Sequence, residues 1–115
     1  MDQKIKIAVR DFSETPGPRE KVQGDFSAEL FVETVLNPEF QKMDSDPALK
    51  MEINLDGTLG YGTSFLEEVF GGTARKKGVA FVRDRIEIIS NEEPWLKEEI
   101  KTYVDDVEKH DQMGN

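Results

Sequence analysis

The side chains best placed for chemistry are two adjacent hydroxyls, Thr63 and Ser64, which follow Gly60-Tyr61-Gly62 and precede Phe65-Leu66-Glu67. Upstream, Met51, Ile53 and Leu55 alternate with Lys50, Glu52, Asn54 and Asp56, the period of a half-buried strand. Downstream, Leu66, Val69 and Phe70 fall on one helical face, and Ser64 with Glu67 has the spacing of a capping box. Strand, glycine turn and helix in that order put the hydroxyls where a helix opens. The first-turn N–H groups of a helix lack partners and carry partial positive charge, so the position suits an anion or a phosphorylated serine. Helix capping by itself also accounts for Ser64.

Other chemistry lacks parts. The chain has no cysteine, which removes thiolate metal sites and thiol catalysis, and its one histidine, His110, falls near the end of the last helical segment. Ser64 therefore has no base beside it, and no Gly-x-Ser-x-Gly run occurs. A dinucleotide loop would need glycine at position 65, which is Phe65, and the Walker lysine pattern is absent. No catalytic residue, cofactor or metal is expected, and Gly60-Tyr61-Gly62 reads as a tight turn. Tyr61 at its tip either meets a partner or covers the sheet edge. Arg19 either bonds loop carbonyls or makes forked bonds to an anion near Ser64.

Fifteen Lys+Arg against 24 Asp+Glu leave a net charge of -9, which disfavours a nucleic-acid partner because phosphate backbones are bound by cations. The local cations Arg75, Lys76, Lys77, Arg83 and Arg85 read as a solvated surface, with a docking patch for an acidic partner as the other reading. No apolar run approaches the ~20 residues of a membrane span, and no signal peptide opens the chain, so a cytoplasmic location is expected. The 115 residues suit one domain over 1–115, with 111–115 as a frayed tail.

The elements that must position the hydroxyls follow from periodicity. Ile5, Ile7 and Val9 alternate with Lys4, Lys6, Ala8 and Arg10 as a first strand, ended by Asp11-Phe12. Residues 13–26 hold enough proline and glycine for a long loop. Ser27 caps a helix through Phe31, Val35 and Leu36, which Asn37-Pro38 should interrupt before a shorter piece through Phe40 and Met43. Gly71-Gly72 would let the helix after Ser64 approach a neighbouring backbone. Val79 to Val82 is ambiguous, Ile86 and Ile88 form a third strand, and Leu96, Ile100, Tyr103, Val104 and Val107 stripe a last helix opened by Asn91-Glu92-Glu93-Pro94. Trp95 reads as a half-buried anchor, with an exposed interface residue as the other reading. Strand–helix alternation implies a small parallel sheet, and the polar alternation within each strand puts the helices mainly on one face.

Residues 60–72, Gly60-Tyr61-Gly62-Thr63-Ser64-Phe65-Leu66-Glu67-Glu68-Val69-Phe70-Gly71-Gly72, resemble the signature of a bacterial STAS-like domain family of unknown function. The family name points to the domain shared by sulfate transporters and anti-sigma factor antagonists. Pro16-Gly17-Pro18-Arg19, then Asp25 to Phe31 with Val35-Leu36 and Pro38, add a second match, and Ile86-Glu87-Ile88 with the Pro-Trp start of the last helix a third. The resemblance covers about Ile5 to Val107. It implies a STAS-like α/β fold and a regulatory, non-enzymatic role in which a protein partner, a histidine-kinase-like ATPase, is bound through residues 60–64 and the following helix. Tyr61, Gly62, Phe65 and Glu68 are the implied partner-binding residues. Aligned on the antagonists, Ser64 takes the phosphorylated position and Thr63 the preceding serine, but Gly62 replaces their aspartate and Phe65 their glycine. The alternative is a small anion- or nucleotide-binding domain using the Ser64 helix start, with Arg19 as the cation.

Overall fold

In each strand, charged or polar residues alternate with apolar ones, and the alternation decides which side of the sheet is covered. The computed structural model describes residues 3–113, apart from the side chains of Thr63 and Met113. Strands β1 (Lys4–Ala8), β2 (Lys50–Asn54) and β3 (Ile86–Ile89) form a parallel sheet in the order β1-β2-β3. Ile7 pairs with Ile53, which pairs with Ile88, and Met51 pairs with Ile86, so the apolar residues share one face. Ile7, Met51, Ile53 and Ile86 are buried there. Lys4, Lys6, Lys50 and Glu87 are exposed on the other face, where the Lys4 ammonium sits 3.1 Å from the Glu87 carboxylate. Parallel sheets are usually covered on both sides and carry continuous apolar runs. Here one face meets water, which is why these strands alternate.

The helices depart from expectation at the glycines and the proline. The first strand stops at Ala8, and a single helical turn, α1 (Val9–Phe12), follows it directly. Helix α2 spans 28–45 without a break. The fully buried Ser27 caps it, its Oγ accepting from the Leu30 N–H at 3.1 Å. Asn37-Pro38 does not interrupt it, because Val32–Leu36 adopts a π turn in which the Asn37 N–H donates to the Val32 carbonyl. Proline has no N–H to give, and a widened turn absorbs the missing bond. Helix α3 spans 63–77 and likewise contains a π turn, Glu67–Gly71, before it ends at Gly78 with φ at +105°.

The ambiguous stretch after Gly78 is a helix, α4 (Val79–Arg85), that runs straight into β3. Arg85 fixes that junction: its Nη2 donates to the carbonyls of Met43, Asp46 and Leu49 at 3.0, 2.7 and 2.6 Å. Helix α5 (Trp95–Met113) starts at Trp95, after the Asn91–Pro94 run, and includes residues 111–113 of the expected frayed tail; Gly114 and Asn115 lie outside the described residues. Leu96, Ile100, Val104 and Val107 on α5 close the core around Phe31, Phe65 and Phe70. Among the described residues, no helix is long and apolar enough to cross a membrane.

Candidate functional site

The hydroxyl pair sits at the turn from β2 to α3, and that turn is held from both sides. The Leu55 N–H donates to the Ile89 carbonyl at 2.8 Å, extending the contact with β3 beyond the ladder. Asp56 Oδ1 accepts from the N–H groups of Asn91 and Glu92 at 2.9 and 3.0 Å. The Gly57 N–H donates to Glu92 Oε1 at 2.7 Å, and Gly57 has φ at +89° with Arg10 packed so close that a Cβ would meet its Cδ at 2.6 Å. On the β1 side, the Leu59 N–H donates to the Glu14 carbonyl at 2.7 Å. The three connections leaving the C-terminal ends of the strands are therefore bonded to one another.

Within this frame the sequence-designated residues separate. Ser64 is exposed in the first turn of α3, as is Gly62 just before it, whose carbonyl accepts from the Phe65 and Leu66 N–H groups at 3.2 and 3.5 Å. The Ser64 amide, in the opening turn, has no acceptor within the helix. The Thr63 side chain lies outside the described residues.

Tyr61 turns inward. Its hydroxyl donates to the Leu55 carbonyl at 2.8 Å and its ring lies 6.0 Å from that of Phe65. Burial pushes its phenol up to about 12. Phe65, expected at a partner interface, is buried in the core at 1% exposure, because it falls on the inner face of α3 with Leu66 and Val69.

Arg19 and Glu68 meet each other. Arg19 Nη1 lies 2.5 Å from Glu67 Oε1 and 2.9 Å from Glu68 Oε1, and Arg75 Nη1 approaches Glu67 Oε2 from the other side at 2.8 Å. The hydrogen bond to Glu67 comes first among the causes that raise the Arg19 pKa. For Glu67, burial acts to raise the pKa, and the bonds from Arg75 and Arg19 outweigh it and hold the carboxyl below its ordinary value. Both Glu67 oxygens are thus committed to arginines, so the capping box expected with Ser64 does not close. Gly71 and Gly72 make room for this cluster rather than for a neighbouring backbone: a Cβ on Gly71 would collide with Glu67 Oε2, and one on Gly72 would reach Glu68 Oε2 at 3.0 Å.

Four residues carry more surface than their types suggest, Val22 among them at 88% exposure. Leu59, on the β2–α3 turn, is 81% exposed, and Trp95 is 56% exposed instead of half-buried. Phe26 is 44% exposed with φ at +54°, the one non-glycine residue among those described with a positive φ. A leucine between two glycines, as in Gly57-Thr58-Leu59-Gly60, is a turn-tip signal legible in sequence. Four of the five cations of the expected patch are engaged: besides Arg75 and Arg85, Lys77 pairs with Asp44 at 2.7 Å and Arg83 with Asp105 and Glu108 at 2.7 and 2.9 Å. Among the described residues, no group of His, Asp and Glu side chains is arranged to hold a metal ion.

A family model described as a STAS-like domain of unknown function matches residues 27–95. The chain belongs to this family. The match runs from the cap of α2 through both π turns and the β2–α3 turn to the first residue of α5, so this STAS-like domain keeps its hydroxyl turn inside the matched span and Arg19 outside it. No curated protein and no solved structure matches the chain.

Proposed function

We propose that this STAS-like domain is a non-enzymatic regulatory module that docks a protein partner through the β2–α3 turn and the start of α3. The observation that carries the reading is the pairing of Leu59, 81% exposed, with the exposed Ser64 on a turn bonded to both neighbouring connections. A rigid turn that presents an apolar side chain loses little conformational entropy on binding. Phosphorylation of Ser64 would add about -1.5 to -2 charge at that tip and switch the docking. The resemblance to anti-sigma factor antagonists supports a histidine-kinase-like ATPase as the partner, although Gly62 removes the acidic neighbour found in the antagonists. The anion-binding alternative lacks its cation, since Glu67 and Glu68 hold Arg19.

Affinity capture from host cells tests the reading. Wild-type protein is expected to retain a partner that Leu59→Ser loses, that Ser64→Glu retains in a clearly altered amount, and that Lys6→Ala, on the open sheet face, keeps. Equal retention by all four proteins overturns it. Intact-mass measurement of the protein from its own host reads the Ser64 phosphate directly.

A further inference from the structure

The large apolar side chains left in water fall on the segments that follow the three strands. Among the described residues they are Val22, Phe26, Leu59 and Trp95, at 88%, 44%, 81% and 56% exposure. Val22 and Phe26 lie on the connection after β1, Leu59 on the connection after β2, and Trp95 opens the helix that follows β3. All four therefore lie on the connections that follow the strands, or at the first residue after one. Open parallel sheets bind their ligands at the carboxyl ends of the strands.

Phe26 is held there at a backbone cost. Its φ of +54° is disfavoured for a bulky residue, yet the Gly17 N–H donates to its carbonyl at 2.9 Å and its ring packs edge-on against Phe12 at 5.6 Å. The fold thus maintains a half-exposed aromatic on the connection whose Glu14 carbonyl accepts from the Leu59 N–H.

The charge at this end has one sign. Residues 9–27, 55–62 and 90–94 contain seven acids against three bases. The bases are engaged: Arg19 with Glu67 and Glu68, Lys21 with Glu33, and Arg10 Nη1 with the Asp56 carbonyl. The carboxylates of Asp11, Glu14, Asp25 and Glu93 have no hydrogen bond or ion pair among the described residues.

We infer that the strand-end surface around Phe26, Leu59 and Trp95 binds a protein segment that presents apolar side chains among lysines or arginines. The inference rests on the docking reading above and supplies the partner's chemistry. Uncompensated carboxylates steer a cationic segment and fix its register, and the apolar residues hold it once water leaves. It also widens the site beyond the β2–α3 turn, to the connection after β1 and the start of α5.

Trp95, the sole tryptophan, reports on the surface directly. The full chain is titrated with a synthetic amphipathic lysine/leucine peptide, a lysine-only peptide of equal charge and a glutamate/leucine peptide, with Trp95 emission and backbone amide NMR shifts as readouts. The lysine/leucine peptide is expected to blue-shift Trp95 and to move the Phe26 and Leu59 amides. Its binding should be at least tenfold tighter than that of the lysine-only peptide, tenfold weaker in Leu59→Ser, and weaker at higher salt. Equal binding of the two cationic peptides, shifts confined to the acidic face of α5, or no binding overturns the inference. If a captured partner is lost on Leu59→Ser but contacts the domain through an acidic segment, the docking reading stands and this inference fails.

Discussion

Arg19 reaches Glu67 across 48 positions of sequence, with Nη1 and Oε1 2.5 Å apart. The contact ties the proline-rich connection after β1 to the π turn of α3, and Arg75 completes it from the C-terminal side. The two helix carboxylates that follow Ser64 are thereby neutralised, and the connection carrying Val22 and Phe26 is anchored beside the hydroxyl turn.

Replacing Arg19 with alanine should release that connection. The pair is partly exposed, so the expected cost in global stability is only about 0.5–1 kcal/mol. Amide hydrogen exchange over residues 14–26 should accelerate well beyond that seen elsewhere, because these residues have little other secondary structure to hold them. Unchanged exchange in Arg19→Ala would remove the anchoring role.

The acid limb of the stability curve carries the signature of the same cluster. The Glu67 pKa is lowered in the folded state, against the pull of burial, by its bonds to Arg75 and Arg19. Its contribution is therefore present above the ordinary glutamate pKa of about 4.5 and is lost as the pH falls through the lower folded value. Asp105 and Glu108, held down by Lys101 and Arg83, act in the same direction. Denaturant midpoints of Glu67→Gln between pH 6 and pH 3 should decline less than those of the wild type.

Tyr61 gives the opposite limb. Burial raises its phenol from 10.0 to about 12, so the folded state favours the neutral form. That stability is complete below pH 10 and is lost as the pH rises toward 12. Tyr61→Phe should cost about 1 kcal/mol at neutral pH through the lost bond to the Leu55 carbonyl and should flatten the decline above pH 10. A spectrophotometric titration should show the Tyr61 phenol ionising late, a component absent from Tyr61→Phe.

Phe65 and Leu59 should exchange the roles that residue type alone assigns them. Phe65→Ala empties a core position between Phe31 and Tyr61 and should cost about 3–5 kcal/mol, seen as a large drop in the urea midpoint. Leu59→Ser should change stability by less than about 0.5 kcal/mol, since the side chain already faces water.

Where local pattern dominated, the sequence sufficed. Ile5 and Ile7, Met51 and Ile53, and Ile86 and Ile88 announced three strands and the covered face, and Ser27 announced its helix. Pro38 misleads because the π turn before it, with the Asn37 N–H bonded to the Val32 carbonyl, absorbs the bond a proline cannot make, and a π turn has no local sequence signal. Glu67 misled because its spacing to Ser64 is local, whereas the arginine that claims it lies far away in sequence. The family motif puts Phe65 at an interface, but its helical phase with Leu66 and Val69 points inward. Leu59, set between Gly57 and Gly60, carries its turn-tip signal in the sequence, while the bonds that brace the turn, to Glu14 and Glu92, are long-range and do not.

Hydrogen exchange on the domain alone and in complex with its captured partner tests the central claim most directly. The docking account requires new protection at residues 55–64 and the first turn of α3, with the open sheet face and the outer face of α5 unchanged. Protection confined to the sheet face or to α5, with residues 55–64 unaltered, would contradict it.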